Sequence, residues 1–214
     1  MRSGTVEAIQ RLGVVAVIRM KDADRLRAVV DAIAAGGVRA IEVTMTVPGA
    51  VGLIARLAAT LPSDILLGAG TVTDVKTARD VIDAGARFVV GPVYRPEIIA
   101  ACHERDVAVA PGCFTPTEIL DAHERGADIV KVFPATALGP QFIKDVRGPL
   151  PQVKLMPTGG VSLDNAGDWI RAGAVAVGAG SSLLDARAIE DGRLDVLTAN
   201  ARRIVASVAA ARPS

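Results

Sequence analysis

Eight apolar blocks rich in Val, Ile and Leu recur along this chain, and amphipathic segments separate them. Each block is too short for a helix and is bounded by turn residues, which is typical of buried parallel strands. Glycine steps such as Gly85-Ala86 cap the preceding helices, and Thr115-Pro116-Thr117-Glu118 resembles a capping box at a helix start. The predicted strands are Val14–Arg19, Ala40–Thr44, Leu66–Thr71, Phe88–Gly91, Ala108–Pro111, Ile129–Phe133, Lys154–Thr158 and Ala174–Gly178.

Successive strand–helix units predict the fold class. Eight of them in a chain of 214 residues indicate an α/β protein, a (β/α)8 TIM barrel that forms a single domain over residues 1–214. Residues 3–12 predict an extra N-terminal helix, and residues 192–211 predict a closing helix. An open doubly wound sheet is the alternative. Such a sheet normally has a G-x-G-x-x-G turn after its first strand, where this chain has Arg19-Met20-Lys21-Asp22.

Charge and composition bear on partners and location. The 24 basic and 23 acidic residues nearly balance and form no run of like charges, so we expect no nucleic-acid partner. No stretch approaches the roughly 18 apolar residues of a membrane-spanning helix, so we expect no membrane partner. Cys102 and Cys113 form no C-x-x-C pair, and no metal-ligand spacing is visible. We therefore expect a cytoplasmic protein with no metal and no other cofactor.

Lys131 stands in the middle of the block Ile129–Phe133. Because side chains alternate along a strand, Ile129, Lys131 and Phe133 share one face. Burial disfavours the ammonium form, and a neutral amine is the nucleophile that forms Schiff bases with carbonyl substrates. The alternative is a lysine that snorkels out of a strand end. The other lysines fall in helices, in loops or at a strand start, which makes Lys131 the candidate nucleophile.

Glu42 is the second candidate for chemistry. It alternates with Ile41 and Val43, so it points to the same interior as Lys131 if those two residues face the helices. A buried carboxyl beside a lysine that loses its charge during a reaction can both take and give protons. The alternative is a Glu–Lys pair that only closes the core.

Further polar residues stand where predicted strands end, which is where a barrel carries its active site. Arg19 can clamp a carboxylate or phosphate, although a surface arginine without a role is the alternative. Thr158-Gly159-Gly160 and Gly178-Ala179-Gly180-Ser181-Ser182 follow the last two strands, where barrels frequently bind phosphate through backbone amides. The other candidate binding residues at strand ends are Thr44, Thr71, Pro92 and Phe133.

Five motifs, taken in order, resemble the class I 2-keto-3-deoxy-6-phosphogluconate (KDPG) aldolase family, also described as 4-hydroxy-2-oxoglutarate (KHG) aldolases. They are Gly-Gly-Val-Arg-Ala-Ile-Glu42-Val-Thr, Gly-Ala-Gly-Thr71-Val, Pro111-Gly-Cys-Phe-Thr-Pro-Thr-Glu, Val-Lys131-Val-Phe133-Pro-Ala and Pro157-Thr-Gly-Gly-Val. The resemblance implies that Lys131 forms the imine with pyruvate or the keto acid. It also implies that Glu42, with a water, is the acid/base, that Thr71 contacts the pyruvate part, and that the protein is a homotrimer.

The same resemblance assigns the distal phosphate to the two late loops. The implied phosphate contacts are Gly159, Gly160 and one of the neighbouring serines, Ser181 or Ser182. Some family members have an arginine four residues after the glutamate, where this chain has Thr46. Other members share the Thr46-Val47-Pro48 sequence and carry an arginine at the end of the first strand. Arg19 is therefore expected to bind the substrate carboxylate in place of the arginine that is absent at position 46.

The expected reaction is cleavage of a phosphorylated keto acid, KDPG, to pyruvate and glyceraldehyde 3-phosphate. Cleavage of KHG to pyruvate and glyoxylate is a second candidate activity, and the preference among KDPG, its galactose-derived epimer and KHG stays open. Two alternatives also stay open. An epimerase or isomerase barrel would use the same phosphate loops without an imine, and a non-catalytic phosphometabolite-binding barrel would use Lys131 only as a structural ion pair.

Overall fold

The computed structural model describes residues 1–212, in which parallel strands alternate with helices. Within these residues the helices are α1 (Arg2–Leu12), α2 (Leu26–Ala35), α3 (Ala50–Thr60), α4 (Val75–Asp83), α5 (Pro96–His103), α6 (Pro116–Glu124), α7 (Gly139–Arg147), α8 (Ala166–Arg171), α9 (Ala186–Glu190) and α10 (Leu194–Ala210), with a short 3-10 helix at Ala135–Ala137. The strands are β1 (Val14–Ile18), β2 (Ala40–Thr44), β3 (Leu66–Gly70), β4 (Phe88–Val90), β5 (Ala108–Ala110), β6 (Gly112–Cys113), β7 (Val130–Val132), β8 (Leu155–Pro157) and β9 (Val177–Ala179).

The strands form two parallel sheets, with the orders β5-β4-β3-β2-β1-β9 and β6-β7-β8. In the larger sheet Glu42 is in register with Gly68 of β3. In the smaller sheet Lys131 is in register with Met156 of β8. An isolated bridge between Thr158 and Gly178 links the end of β8 to β9. The α/β class with parallel strands is therefore confirmed.

Of the predicted strands only Ala40–Thr44 has the bounds that were expected. Five others are one or two residues shorter than predicted, and the remaining two differ for a specific reason. The block Ala108–Pro111 forms β5 only as far as Ala110, and the separate strand β6 follows. Pro111 has no amide hydrogen, so it interrupts the ladder between them. The block Ala174–Gly178 becomes a strand only at Val177, because the amide of Ala174 still completes the turn after α8 by donating to the Trp169 carbonyl at 3.0 Å.

The predicted capping box at α6 is confirmed. The Thr115 hydroxyl accepts from the Glu118 amide at 3.3 Å, and the Glu118 carboxylate accepts from the Thr115 amide at 2.8 Å. These bonds satisfy amides that lack a partner inside the helix, so the helix begins sharply after β6.

The two faces of the strands pack into two different cores. Val43 and Val89 lie in the larger core between strands and helices. Leu66 and Ile129 lie on the opposite face, in a smaller core that includes Ile9 of α1. Burial on both faces is the property that makes parallel strands read as continuous apolar runs.

Helix α1, predicted from the sequence for residues 3–12, covers the amino ends of the strands. Arg2 pairs with Asp128, just before β7, at 3.3 Å, and Gly13 leads directly from α1 into β1. The smaller core is thus closed at its amino end. The carboxyl ends of the strands, where the candidate residues were expected, lie opposite this helix.

Three further facts concern the described residues. None of their helices is long and apolar enough to cross a membrane. They contain no group of three or more His, Cys, Asp and Glu side chains placed to hold a metal ion. Cys102 and Cys113 are both buried and free.

Candidate active site

Strand β7 places Lys131 in the protein interior. The side chain is 1% exposed, and the Lys131 amide donates to the Pro111 carbonyl at 2.9 Å. Burial lowers the pKa of Lys131 from its ordinary value of 10.5, and the Arg19 charge lowers this pKa further, while Glu42 opposes both effects. The ammonium nitrogen lies 4.9 Å from the centroid of the Phe133 ring. Lys131 therefore does not snorkel into solvent, and its pKa is lower than that of an exposed lysine.

Strand β2 places Glu42 in the same interior. Its side chain is 0% exposed, and neither carboxyl oxygen has a hydrogen-bond partner among residues 1–212. Burial raises the pKa of Glu42, and the charges of Lys131 and Arg19 lower it by a smaller amount. An unpaired buried carboxyl is costly and uncommon in folded proteins. Glu42 thus has the burial and the proton affinity of a group that exchanges a proton during a reaction.

Arg19 follows β1 and is exposed. It lines a surface cleft of about 480 Å³ together with Thr46 and Leu184. Its charge acts on both Glu42 and Lys131. Since Arg19 and Thr46 border the same cleft, an arginine at either position would present its charge to the same part of the site.

Thr44 ends β2 beside this cleft and is buried. Its hydroxyl donates to the Ile18 carbonyl at 2.9 Å and lies 2.7 Å from the Thr46 hydroxyl. These bonds tie the carboxyl end of β2 to that of β1. The sequence did not reveal this role of Thr46.

Thr71 directly follows β3 and has a φ of 59°. A β-branched residue in the left-handed region is strained, and such strain persists where the surrounding structure fixes it, often at functional sites. The side chain is half-buried. Thr71 therefore stays a candidate binding residue at the end of β3.

The loop after β8 contains two glycines in the left-handed region, Gly159 with a φ of 88° and Gly160 with a φ of 73°. A side chain on Gly160 would place its Cβ 2.8 Å from the Cα of Thr136, so this position has room only for glycine. The Gly160 carbonyl accepts from the Asn165 side chain at 2.9 Å. Its amide donates no hydrogen bond within residues 1–212, which leaves it free to bind an anion.

The loop after β9 lies against the loop after β8. The Ser182 hydroxyl donates to the Val161 carbonyl at 2.8 Å, which joins the two loops. The carbonyl of half-buried Gly180 accepts from the amides of Leu183 and Leu184, so this loop is a tight turn. Ser181 is exposed, and within the described chain its hydroxyl is not in a hydrogen bond. Of the two serines, Ser181 is therefore the one with a hydroxyl available to a ligand.

Thr158 directly follows β8, beside the strand β7 that carries Lys131. Its side chain is 4% exposed, and its Oγ1 has no hydrogen-bond partner among the described residues. Its amide donates to the Val132 carbonyl at 3.0 Å, which holds it beside β7. Pro92 follows β4 and is half-buried, and its backbone lies against Gly112.

The predicted residues thus fall into two groups. Lys131, Glu42 and Arg19 act on one another electrostatically, and the loops that carry Gly160 and Ser181 touch each other. Within residues 1–212 no hydrogen bond joins the Lys131 or Glu42 side chain to these loops. The candidate site therefore has a buried part around Lys131 and Glu42 and a separate, more exposed part formed by the two loops.

Two glycines make room for particular polar side chains, a role that the sequence did not reveal. A Cβ on Gly70 would overlap the Glu42 carboxyl, and a Cβ on Gly178 would overlap the Thr158 hydroxyl. For Gly70 a signal was present in the alternation Gly68-Ala69-Gly70, because it puts a residue without a side chain on the strand face that Glu42 shares.

The chain is thus an α/β protein with parallel strands. Its candidate nucleophile, Lys131, is buried on β7, and its candidate acid/base, Glu42, is buried on β2. The family model described as KDPG and KHG aldolase matches residues 6–200. The chain belongs to the KDPG and KHG aldolase family, whose members are lyases.

Named relatives and a solved structure agree with this membership. The 2-dehydro-3-deoxy-phosphogluconate aldolase of Treponema pallidum (strain Nichols) is 34% identical over 194 residues, which cover 90% of this chain and 92% of that protein. The KHG/KDPG aldolase of Escherichia coli (strain K12) is 34% identical over 203 residues, 94% and 95% of the two chains. KDPG aldolase from Legionella pneumophila, solved with pyruvate captured at low pH as a covalent carbinolamine intermediate, superposes with a TM-score of 0.86 at 30% identity, covering 94% of this chain and 97% of that one.

Proposed function

We propose that this chain is a class I aldolase that cleaves KDPG to pyruvate and glyceraldehyde 3-phosphate through a Schiff base on Lys131. The observation that carries the proposal is that Lys131 is buried, has a lowered pKa and acts electrostatically on the fully buried Glu42. The carbinolamine captured in the Legionella relative supports the same chemistry here.

The finer fold is part of the proposal. Residues 1–214 are proposed to form one domain, a complete (β/α)8 barrel with the extra helix α1. Support comes from two connections between the sheets. The chain passes from β5 through Pro111 directly into β6, and the bridge between Thr158 and Gly178 links the end of β8 to β9. A closed barrel requires both connections.

The first step is attack of the neutral Lys131 amine on the C2 carbonyl of the keto acid. The new C–N bond gives a carbinolamine, and loss of water gives a protonated imine. A lowered pKa of Lys131 provides neutral amine at a lower pH than an ordinary lysine would. The positive imine then accepts electrons from the neighbouring C3–C4 bond.

Glu42 moves the protons in the second step. Its carboxylate takes the C4 hydroxyl proton through a water, the C3–C4 bond breaks, and the aldehyde leaves. The bonding electrons form an enamine, which Glu42 reprotonates at C3 through the same water. Hydrolysis of the resulting imine releases pyruvate and restores the Lys131 amine. The raised pKa of Glu42 suits a group that must both accept and return a proton.

The remaining candidates are proposed to hold the pyruvate part. Arg19 binds the substrate carboxylate from the cleft that it shares with Thr46. Thr71 contacts the pyruvate, and Pro92 and Phe133 form apolar walls. Thr44 shapes the end of β2, since its hydroxyl is already bonded to the Ile18 carbonyl.

The distal phosphate is proposed to bind between the two late loops. The free amide of Gly160 and the hydroxyl of Ser181 donate to it, with Gly159 and Gly180 keeping the backbone close, while Ser182 joins the loops through Val161. Thr158 offers its unpaired hydroxyl to the middle of the substrate. Binding energy from such a remote anion positions the reacting centre.

Loss of the Ser181 hydroxyl is expected to weaken the preference for phosphorylated substrate. A hydrogen bond to a charged group contributes about 1.5–3 kcal/mol, so Ser181→Ala should lower kcat/KM for KDPG roughly 10- to 100-fold. The same variant should cleave KHG and dephosphorylated KDPG as the wild type does. Pyruvate release is measured for all three substrates. The assays contain EDTA, because a reaction through an imine on Lys131 needs no metal ion and should proceed in its presence. Equal wild-type efficiency with and without phosphate would refute the phosphate site and favour KHG as substrate.

Oligomeric state and location also belong to the proposal. The homotrimer implied by the family resemblance is supported by the exposed apolar side chains of Val93 and Phe114 on loops at the same end of the strands. A cytoplasmic location is supported by Cys102 and Cys113, which remain free thiols. Light scattering on the purified protein measures the subunit number.

A further inference from the structure

Gly70, at the end of β3, lies against the carboxyl group of Glu42. Its own register partner on β2 is Thr44, and Gly68 is the partner of Glu42, so the glutamate side chain extends along β2 toward the level of Gly70. A Cβ at Gly70 would overlap Glu42 Oε1 and would lie 2.6 Å from Glu42 Cγ. A real Cβ does not make such contacts.

Backbone conformation does not explain this glycine. Gly70 lies outside the left-handed region, in contrast to Gly159 and Gly160, so an alanine can adopt its φ. Gly70 is also within a regular strand, where glycine weakens the element. Glycine is required at position 70 because the Glu42 carboxyl occupies the space that a side chain would need.

Gly68 provides the comparison within the same strand. It stands two residues earlier on the same face, and a Cβ there would lie 2.5 Å from atoms of the Phe88 ring. Phe88 belongs to the smaller apolar core. Gly68 therefore makes room for packing, whereas Gly70 makes room for the acid.

Resting on the aldolase function proposed above, we propose that Gly70 is a positioning residue for Glu42. Its missing side chain lets the glutamate carboxyl lie across β3 in the place from which it acts on Lys131. With an alanine at position 70, the carboxyl must turn away into another rotamer. Imine formation on Lys131 then survives, and proton transfer by Glu42 is lost.

The test compares Gly70→Ala with the matched control Gly68→Ala. Active sites of each variant are counted by trapping the pyruvate imine with borohydride, and turnover is expressed per trapped site. Gly70→Ala should lower kcat for KDPG cleavage and for exchange of the pyruvate methyl protons by about 10²-fold or more, the loss typical for a general acid/base. KM for pyruvate should change little. Gly68→Ala should keep turnover per trapped site within a few-fold of wild type.

A double-mutant cycle shows whether Gly70 acts through Glu42. Adding Gly70→Ala to Glu42→Gln should cost almost nothing further in kcat, because the group that Gly70 positions is already inactive. If Gly70→Ala alone does not fold, the variant that combines it with Glu42→Ala should recover the soluble yield, because the overlapping atoms are gone.

Three results would overturn the role of Gly70. The first is a kcat for Gly70→Ala equal to that of Gly68→Ala, and the second is a fully additive loss with Glu42→Gln. The third applies if Gly70→Ala alone does not fold, and it is no recovery of folding when Glu42→Ala is added. Failure of the aldolase function itself looks different. The wild-type protein would then release no pyruvate from KDPG and trap no imine.

Discussion

Replacing Lys131 with methionine is expected to abolish cleavage of KDPG, with turnover reduced by at least about 10⁴-fold, as for loss of a catalytic nucleophile. Methionine fills a similar volume in the buried strand but has no amine to attack the C2 carbonyl. The fold should tolerate the change, because burial of the Lys131 ammonium is costly and an apolar side chain removes that cost. We therefore expect the melting temperature to stay equal or rise while activity is lost.

Lys154→Met is the matched control for this substitution. Lys154 directly precedes β8 at the amino end of the strands and is exposed. This variant should retain wild-type turnover and lose no imine formation. Pyruvate release and thermal unfolding are measured for both variants. Turnover of Lys131→Met above about one hundredth of wild type would show that Lys131 is not the nucleophile.

Glu42→Gln is expected to lower turnover by roughly 10²–10⁴-fold, the range for losing a general acid/base. Glutamine has nearly the same shape and remains neutral, so the site keeps its packing but cannot take the C4 hydroxyl proton. Imine formation with pyruvate should persist. The two results together, lost cleavage and retained trapping with borohydride, separate proton transfer from covalent attachment.

The pH dependence of trapping provides a second readout on Glu42→Gln. The Glu42 carboxylate raises the pKa of Lys131, in opposition to burial. Removing that charge should lower the pKa of Lys131 further, so the neutral amine persists to lower pH. Imine formation in the variant should therefore extend to lower pH than in the wild type. A shift toward higher pH, or turnover within a few-fold of wild type, would mean that Glu42 has only a packing role.

The reactive pair could be predicted from the sequence because strand periodicity is a local property. Lys131 alternates with Val130 and Val132, and Glu42 alternates with Ile41 and Val43. If these apolar neighbours face the helices, both polar side chains point to the opposite face, toward the protein interior. The structure buries both side chains. The parallel α/β architecture followed from the same pattern, since strands buried on both faces give continuous apolar blocks.

Other features depend on contacts between distant residues, which no local pattern contains. The two serines of the last loop differ because only Ser182 reaches the Val161 carbonyl, 21 positions earlier in the chain. The need for glycine at position 70 depends on the side chain of Glu42 on another strand. The left-handed φ of Thr71 is imposed by its surroundings and runs against the preference of a β-branched residue.

The most direct measurement of the central claim is borohydride reduction of the wild-type protein in the presence of pyruvate, followed by peptide mass spectrometry. We expect a reduced pyruvyl group on the peptide that contains Lys131, and on no other lysine peptide. Neither an epimerase or isomerase barrel nor a non-catalytic phosphometabolite-binding barrel would give this adduct, because neither forms an imine. No adduct, or an adduct on a different lysine, would contradict the proposed aldolase mechanism.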